Sequence, residues 1–372
     1  MKKVGKSALF ALIAVILLIT AACGNSGKES SAEESNGSES TQTETVAQSE
    51  GSADVASLRG KKIALVMQFN TGTFSAQYIE GVKEQVEKFG GKVQVFAADN
   101  DLAKMSANLD AAINQGFDGI LIDHGQASAL KQGVNRALEQ KIPVVAFDAD
   151  LNIPGVTVLS QDDQMMATKT LELLKEDAGG KGNIVKIWVA GFAPMERRNQ
   201  AYKAFMDSNP DIKEITTFGT ANNPALDAQS QMEAILKQYP NKGDITAVWA
   251  AWDEFAKGAA RAIQQAGRTE IKLYGIDMSD EDLQMIQDPT GPWVASAAVD
   301  PKDIGRVQVR YLYQKLHGDT TDESVVLDAV VVKRDELPTE AVNTTQLGEY
   351  VQGWSGRTLG ITDWMTELEQ AQ

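Results

Sequence analysis

The chain has 372 residues, with 51 acidic residues against 35 lysines and arginines, which gives a formal net charge of −16 at pH 7. This charge argues against nucleic acid or an anionic membrane surface as a partner, because both would repel an acidic protein. A single cysteine rules out internal disulfide bonds, so a fold of this length must be held together by a large apolar core.

The first 22 residues have the pattern of an export signal. Three lysines precede an apolar run over residues 8–22, which is shorter than the ~20 residues that a membrane-spanning helix needs. The run ends in TAAC, residues 20–23. This ending resembles the lipoprotein box of bacterial lipoproteins, although leucine is usual in place of Thr20, and the resemblance implies that the Cys23 sulfur carries a diacylglycerol. The alternative is an uncleaved membrane anchor with an unmodified cysteine, and both leave the rest of the chain outside the membrane.

The next segment, residues 24–57, has almost no aromatic or large aliphatic side chains. Such a segment cannot bury enough apolar surface to offset the entropy lost on ordering. We therefore predict an acidic, serine-rich flexible tether over residues 23–59 that joins the lipid anchor to the folded part. About 310 residues remain beyond it, a length that suits two domains better than one.

Beyond Lys61, apolar runs of strand length alternate with stretches of helical periodicity. The first run, residues 62–67, is almost entirely apolar, as expected of a strand that is buried on both faces. Further runs of this kind lie at residues 93–98, 119–122, 144–147, 183–190, 215–218, 247–251, 272–276 and 293–299. Strict alternation of strands and helices predicts parallel sheets that are covered on both faces and joined by right-handed crossovers. The predicted fold class is therefore α/β, with two doubly wound, Rossmann-like lobes.

In open parallel sheets, ligands bind beyond the carboxyl ends of the strands. Polar or aromatic residues stand at these ends, namely Gln68, His124, Asp148, Trp252, Asp253 and Asp277. A single aspartate in such a position is more often a helix N-cap, and we interpret Asp253 in that way because Glu254 opens a helix. Asp148 and Asp277 fall in different lobes, so we predict that they face each other across a cleft and accept hydrogen bonds from hydroxyls.

Six segments make the chain similar to a known family over residues 61–331. They are KIALVM (62–67) with Phe74 after it, KIPVVAFDAD (141–150), ERRNQAYKAF (196–205), VWAAWDEFAKGAARAIQQAG (248–267), LYGIDMSDED (273–282) and VDPKDIG (299–305). In order and spacing they resemble the ribose-type sugar-binding proteins that serve bacterial ABC importers. The resemblance implies the type I periplasmic binding protein fold, in which three crossovers form a hinge between two lobes with parallel sheets and one ligand lies in the cleft.

The resemblance also implies how the chain is divided between the lobes. We predict that residues 60–161 and 300–326 form the N-terminal lobe and that residues 162–299 and 327–349 form the C-terminal lobe. Residues 350–372 reach beyond the similar part of the chain as a C-terminal extension. Within this extension, DWMTELEQA (363–371) is predicted to form a short amphipathic helix that packs on one lobe.

Ligand contacts follow from the same resemblance, one position at a time. Phe74 matches an aromatic residue that stacks on the sugar, and Arg198 matches a forked donor suited to adjacent oxygens. Asp148 and Asp277 match two carboxylates that accept hydroxyl hydrogen bonds. Trp252, in place of an asparagine, is predicted to provide a second stacking wall. Four further contacts are predicted, from family positions at Gln161 and Asn223 and from strand ends at Gln68 and His124.

Three of these residues also admit a structural role. The alternative for Phe74 is a buried helix residue, and the alternative for Arg198 is a solvated surface charge. Trp252 is either a cleft residue or a core aromatic, the role that we predict for Trp188 and Trp249 because both lie inside apolar runs. The burial and direction of each side chain distinguish the two roles.

The predicted pocket departs from the ribose binders at several positions. Most of the departures replace a polar or aromatic ligand residue, and they are Gly72, Ser75, Ala149, Gln161, Asn223, Trp252 and Val299. A sugar hydroxyl that is left without a partner in a dry pocket costs ~1–3 kcal/mol. Ribose itself is therefore disfavoured, and we predict another aldose or a polyol-like ligand.

Together these features predict an extracytoplasmic solute receptor, lipid-anchored to the cell membrane, that binds a monosaccharide and delivers it to an ABC permease and its ATPase. The ligand binds the first lobe and the second lobe closes over it. We predict no cofactor and no metal, and a monomer is expected from the family. A ligand sensor for a membrane signalling partner and a receptor for a non-sugar small molecule are the alternatives. A glycosidase that uses Asp148 and Asp277 is disfavoured, because no other catalytic pattern is present.

Overall fold

The computed structural model describes residues 53–370, which form two lobes that are each built on a six-stranded sheet. The predicted export signal, Cys23 and the tether up to residue 52 lie outside the described residues. The predicted end of the tether is wrong, because Val55–Leu58 form a 3-10 helix that buries Leu58 in the apolar core. In chain order the strands are β1 (Lys62–Met67), β2 (Lys92–Ala97), β3 (Gly119–Asp123), β4 (Val144–Phe147), β5 (Thr157–Gln161), β6 (Gly182–Ile187), β7 (Ile212–Phe218), β8 (Ala247–Ala250), β9 (Lys272–Ile276), β10 (Trp293–Ala298), β11 (Ser324–Leu327) and β12 (Val330–Lys333). The α-helices are α1 (Gly72–Lys88), α2 (Leu102–Asn114), α3 (Ala127–Glu139), α4 (Asp163–Asp177), α5 (Ala193–Ser208), α6 (Pro224–Gln238), α7 (Asp253–Gln265), α8 (Asp280–Gln287), α9 (Pro301–His317) and α10 (Asp363–Gln370).

The two sheets repeat one topology. The first has the strand order β11-β5-β4-β3-β1-β2, with every neighbouring pair parallel. With α1, α2, α3 and α9 it forms a unit that we call the N-lobe. The second sheet has the order β12-β10-β9-β8-β6-β7 and, with α4 to α8, forms the C-lobe. Each N-lobe strand thus has a counterpart in the C-lobe, for example β4 and β9.

One strand departs from the predicted parallel pattern. β12 pairs antiparallel with β10 at the edge of the C-lobe sheet. Only residues 328–329 separate β12 from β11, so no crossover helix reverses the chain between the two lobes. Because β11 ends at the cleft, the chain enters the C-lobe there and runs away from the cleft, opposite to β10.

Burial on both faces of the sheets accounts for the continuous apolar runs. In β1 every position after Lys62 is buried. The reason is that α1 and α9 cover one face of the N-lobe sheet, whereas α2 and α3 cover the other. In the C-lobe, Trp249 is fully buried and donates its indole N–H to Thr170, which confirms its predicted core role. Trp188 is only half-buried at the end of β6, although it packs against the same core.

Within the described residues, the chain crosses between the lobes three times at one edge of the sheets. It passes from β5 to α4, returns from β10 to α9 and crosses again from β11 to β12. These strands lie at or next to the same edge of each sheet, so the three crossings together form a hinge. The strands farther from this edge are not linked across the cleft by such a crossing.

The C-terminal extension adds a fourth passage between the lobes. Trp354 is buried in the C-lobe core, whereas Met365 and Leu368 of α10 are buried in the N-lobe core. Between these points, Arg310 of α9 donates a 2.7 Å hydrogen bond to the backbone oxygen of Arg357. Arg357 in turn donates to the backbone at the third crossing. The extension therefore runs beside the hinge and fastens to both lobes.

Candidate functional site

The carboxyl ends of the two sheets face each other across a closed cleft. This cleft contains a cavity that residues from both lobes line. Seven of the predicted ligand residues line it: Phe74, His124, Asp148, Gln161, Arg198, Trp252 and Asp277. The fold thus gathers predicted residues from both lobes into one cavity.

Asp148 and Asp277 occupy equivalent places in the two lobes. Asp148 follows β4 and Asp277 follows β9, and each donates its backbone N–H to the next strand over a distance of 2.9 Å. Both residues have a left-handed backbone, with φ of 51° and 75°. This conformation is uncommon outside glycine and is tolerated best by aspartate and asparagine. It ends each strand abruptly and leaves the carboxylate in the cleft.

Arg198 of α5 lies beneath the cavity and holds Asp277. Its side chain is only 2% exposed, so the surface-charge alternative is wrong. Both terminal nitrogens bond the Asp277 carboxylate at 3.1 Å, and Nε bonds Asp163 Oδ1 at 2.7 Å. Burial lowers the pKa of Arg198, but the carboxylates of Asp277 and Asp163 raise it well above its ordinary value. Burial also raises the pKa of Asp277, and the Arg198 guanidinium opposes that rise.

Arg197, the neighbour of Arg198, reaches across the cleft to the other lobe. Its Nη2 donates a 2.6 Å hydrogen bond to Asp148 Oδ1, and its Nε bonds Asp163 Oδ2 at 2.7 Å. Burial, and then the Asp163 carboxylate, raises the pKa of Asp148 to about 7, while Arg197 opposes the rise. This contact could not be predicted, because two adjacent arginines on a helix give no sign of which side chain reaches the opposite lobe.

Gln161 lies at the end of β5, where the chain leaves the N-lobe. Its Nε2 donates to Asp277 Oδ1 at 3.1 Å, so it also joins the two lobes. Its Oε1 is buried and has no hydrogen-bond partner among residues 53–370. A buried acceptor without a partner is costly, which makes this oxygen a candidate to receive a hydroxyl from a ligand.

Aromatic rings from both lobes meet on the other side of the cavity. Phe69 of the N-lobe lies 5.6 Å from Trp252 and 6.0 Å from Phe192, both of the C-lobe, measured between ring centroids. It also lies 5.0 Å from the ring of His124. Trp252 is half-buried and lines the cavity, so it is not a purely core residue. Phe69 and Phe192 were not predicted, although Phe69 directly follows Gln68 at a strand end.

His124 and Phe74 line the N-lobe side of the cavity. His124 Nδ1 lies 2.8 Å from Asp123 Oδ1, which leaves Nε2 for other partners. Burial lowers the pKa of His124, but the Asp123 carboxylate more than compensates, so the pKa is raised from its usual value. Phe74 is half-buried, packs against the N-lobe core and lines the cavity, so its predicted stacking on a sugar stays a prediction.

The family model described as the periplasmic binding protein domain matches residues 63–320. The chain belongs to this family. Among curated relatives, the xylitol-binding protein of Mycolicibacterium smegmatis is 26% identical over 313 residues, which cover 80% of this chain and 88% of the relative. The ribose import binding protein of Bacillus subtilis is 27% identical over 265 residues, covering 71% and 84%. The predicted family is therefore confirmed, and with it a binding protein rather than an enzyme.

Solved structures agree with the fold of this periplasmic binding protein. A sugar ABC transporter protein from Yersinia enterocolitica has a TM-score of 0.82 at 36% identity and covers 85% of this chain and 97% of its own. A solute-binding protein from Thermotoga lettingae, in complex with 5-methylthioribose, has a TM-score of 0.79 at 30% identity, with coverage of 84% and 97%. The predicted fold class of two α/β lobes is thus confirmed.

Several departures from the ribose binders have a structural explanation in this periplasmic binding protein. Gly72 lies against the other lobe: a Cβ atom there would be 2.2 Å from Glu254 Oε1. Val299 is fully buried in the N-lobe core, so it presents no side chain to the cavity. Ala149 brings no guanidinium to the neighbouring Asp148, but Arg197 brings one from the C-lobe.

The structure does not bring Gln68 and Asn223 into the cavity. The Gln68 amide is occupied at both ends, because Nε2 bonds Asn100 Oδ1 at 2.8 Å and Oε1 accepts the Gly125 N–H at 2.9 Å. Gln68 therefore holds the loops that follow β2 and β3. Asn223 is exposed at the start of α6. The neighbouring Asn222 accepts a 3.1 Å hydrogen bond from Asn100, so this loop closes the rim of the cleft.

The interpretation of Asp253 as a helix cap is wrong. Trp252 is the N-cap of α7, and Asp253 is the first helical residue, fully buried beside the cavity. Its carboxylate lies 3.4 Å from the buried Lys257 Nζ, which also lies 3.6 Å from Asp282. Burial raises the pKa of Asp253, and Lys257 opposes the rise. One buried ammonium, that of Lys257, thus faces the carboxylates of Asp253 and Asp282 beneath Trp252.

Proposed function

We propose that this periplasmic binding protein captures a monosaccharide in the cleft between its lobes and delivers it to an ABC importer. The observation that carries the proposal is the pair Asp148 and Asp277, which project from equivalent strand ends of the two lobes into one closed cavity. Carboxylates accept hydrogen bonds from sugar hydroxyls, and aromatic rings such as Phe69 and Trp252 provide surfaces for the C–H faces of a sugar. Both kinds of group line the same space.

The ligands named for similar proteins support a small polyhydroxylated compound. They include xylitol, ribose and D-apiose among curated relatives, and 5-methylthioribose and allitol in solved structures that are 30% identical. Ribose itself remains disfavoured, because positions 72, 149 and 299 present no polar side chain to the cavity. An aldose other than ribose, or a related polyol, fits the observed groups better.

The geometry supports hinge closure as the mechanism. The N-lobe presents Asp148, His124 and Phe74, while the C-lobe presents Asp277 and Trp252. When the lobes close, these groups surround the ligand and exclude water, which strengthens each hydrogen bond. The hydrogen bonds from Arg197 to Asp148 and from Gln161 to Asp277 then cross the closed cleft. A permease that recognises the closed form would receive only loaded receptors.

We further propose that Cys23 carries a lipid and that the protein is a monomer. The lipoprotein box and the acidic tether support the anchor. Residues 53–370 contain no helix that is long and apolar enough to cross a membrane. Labelling of cells with a radioactive fatty acid tests this part. Cys23→Ser should abolish the label, and persistence of the label would contradict a lipid at this residue.

Thermal shift against a panel of sugars tests the proposed capture. The protein is used from residue 23 onward with Cys23→Ser, and the panel comprises pentoses, hexoses, their deoxy forms and polyols. A ligand that binds only the folded form at 100 times its Kd stabilises by about 2.7 kcal/mol. Asp148→Ala and Asp277→Ala should abolish the shift, whereas Asp207→Ala, at an exposed position of α5, should retain it. If no carbohydrate shifts the transition, sugar capture is refuted.

A further inference from the structure

The polar side chains of the cavity are ordered by the strands that they follow. Counting from the hinge, the N-lobe strands run β5, β4, β3 and the C-lobe strands run β10, β9, β8. Gln161 ends β5, whereas Asp148 and Asp277 follow β4 and β9. The next pair of strands, β3 and β8, leads to His124 in the N-lobe and to Asp253 in the C-lobe. Polar groups therefore stand in three successive ranks away from the hinge.

Asp253, in the third rank, has hydrogen-bond acceptors that the protein does not use. It lines the cavity, and its side chain is fully buried. Neither of its carboxylate oxygens has a hydrogen-bond partner among residues 53–370. Gln161 Oε1, in the first rank, is a buried acceptor in the same condition. Because a buried acceptor without a partner is costly, the first and the third rank both lack donors that a bound molecule could bring.

The charges around Asp253 do not use up its oxygens. The Lys257 ammonium lies 3.4 Å from Asp253 Oδ2 but donates no hydrogen bond to it. The same ammonium lies 2.5 Å from Glu254, 3.5 Å from Glu281 and 3.6 Å from Asp282. One cation is thus shared among four carboxylates. Asp253 therefore keeps its capacity to accept hydrogen bonds from the cavity side.

Groups of the N-lobe complete the surroundings that a hydroxyl needs. His124 engages Asp123 through Nδ1 at 2.8 Å, which leaves Nε2 for another partner. Thr71 and Ser75 add two hydroxyls to the lining of the cavity. A ligand hydroxyl can donate one hydrogen bond and accept another. It can therefore donate to Asp253 and accept a hydrogen bond from the N-lobe.

We propose that Asp253 binds the ligand directly and accepts hydrogen bonds from hydroxyls at the end of the ligand that lies away from Gln161. This inference rests on the proposed function and concerns the same cavity. Neighbouring strands lie about 4.8 Å apart, so the first and third ranks are separated by roughly 10 Å. One hydroxyl cannot reach both ranks, and the ligand therefore carries hydroxyls at both of its ends. A sugar that is deoxygenated at either end leaves a buried acceptor unpaired.

Titration calorimetry of two variants tests the inference. The protein from residue 23 onward, with Cys23→Ser, is titrated with the carbohydrate that gives the largest thermal shift in the panel of pentoses, hexoses, deoxy sugars and polyols. Asp253→Asn should raise the Kd at least about tenfold, because an acceptor oxygen is replaced by a donor that cannot pair with a hydroxyl hydrogen. Asp282→Asn is the matched control and should change the Kd less than about threefold. Asp282 is also fully buried and faces Lys257, but it does not line the cavity.

The outcomes separate this inference from the proposed function. Equal changes of Kd in the two variants, or an unchanged Kd in Asp253→Asn, overturn a direct contact and leave the proposed sugar capture intact. If no carbohydrate of the panel binds, the proposed function fails and this inference fails with it. Each variant must show cooperative thermal unfolding before it is titrated.

A crystal structure with the bound carbohydrate provides a test that needs no substitution at Asp253. One of its Oδ atoms should lie within about 3.2 Å of a ligand hydroxyl oxygen. Both Oδ atoms farther than about 4 Å from every ligand oxygen would overturn the inference.

A deoxy form of the same carbohydrate, without the hydroxyl that contacts Asp253, completes the test. It should bind the protein with Asp253 intact at least about tenfold more weakly than the parent carbohydrate does. In Asp253→Asn the two compounds should bind alike, since the contact is already lost. An equal loss with and without Asp253 would show that this hydroxyl is bound elsewhere, and the inference would be wrong.

Discussion

Two adjacent arginines of α5, Arg197 and Arg198, have different roles in the site. Arg198 is buried within the C-lobe and holds Asp277, whereas Arg197 leaves its own lobe and bonds Asp148. Both also bond Asp163, one oxygen each, which fixes their guanidinium groups relative to each other. Arg198 thus fixes Asp277 within the C-lobe. The hydrogen bond from Arg197 to Asp148, by contrast, forms only when the cleft is closed.

We expect Arg197→Ala to weaken sugar binding without unfolding the protein. The closed form would lose a charged hydrogen bond to the buried Asp148 carboxylate, and such losses cost on the order of 2 kcal/mol, or more than tenfold in Kd. Titration calorimetry measures the effect. Arg136→Ala is the control, because Arg136 pairs with Asp110 on the N-lobe surface and such pairs contribute little. Unchanged affinity in Arg197→Ala would mean that the cross-cleft contact does not stabilise the closed form.

The strand-end rule predicted the site well where a strand leads straight into the cavity. Asp148 and Asp277 follow apolar runs, and their positions could be predicted from the sequence alone. Gln68 also follows a strand, but its side-chain amide forms hydrogen bonds with two neighbouring loops instead of facing the cavity. The sequence does not show which loops lie within reach of this amide. Arg197 could not be predicted because its role depends on the distance between the lobes, which is a property of the closed fold.

Among the elements, the start of α1 is shaped by the other lobe. Gly72 has a φ of 82° and lies against the Glu254 carboxylate of α7.

Alternating apolar runs were enough to predict the strands and helices, because burial on both faces leaves a strong pattern. The antiparallel pairing of β12 left no such pattern, since the direction of a four-residue strand is set by where the chain enters the C-lobe.

Alanine in place of Gly72 should weaken ligand binding as well as stability. The left-handed backbone costs about 1 kcal/mol for alanine, and the new Cβ would also push against Glu254 in the closed form. Gly116→Ala is the matched control, because Gly116 has a φ of 68° and open space around it. Urea unfolding should show a similar loss of stability in both variants, and calorimetry should show weaker binding only in Gly72→Ala. Equal affinity in the two variants would refute a closing contact at this position.

At the scale of the whole molecule, the C-terminal extension connects the two lobes in addition to the three crossings of the hinge. It fastens Trp354 to the C-lobe and α10 to the N-lobe while passing beside the hinge. The resemblance to ribose binders covered only residues 61–331, so this link could not be derived from it. A strap of this kind limits how far the lobes can separate.

Removal of residues 357–372 should therefore destabilise the N-lobe and allow wider opening. The N-lobe would lose the buried side chains of Met365 and Leu368, each worth about 1.5–3 kcal/mol. Small-angle scattering of the ligand-free protein should show a larger radius of gyration, and the double variant Met365→Ala with Leu368→Ala should reproduce part of the change. Ile361→Ala, at a position 47% exposed, serves as the control. An unaltered radius would show that the three crossings alone set the opening.

The two ends of the described chain meet at the last turn of α9. The Ala53 N–H bonds the His317 backbone oxygen at 2.6 Å, and the Trp364 ring stacks on the His317 ring at 4.5 Å. This meeting point lies at the amino-terminal edge of the N-lobe sheet, on the far side of the domain from the cleft. The protein is consequently a natural candidate for circular permutation: a short peptide could join the two ends, and new termini could be opened in the exposed loop around Gly243 without disturbing the cavity.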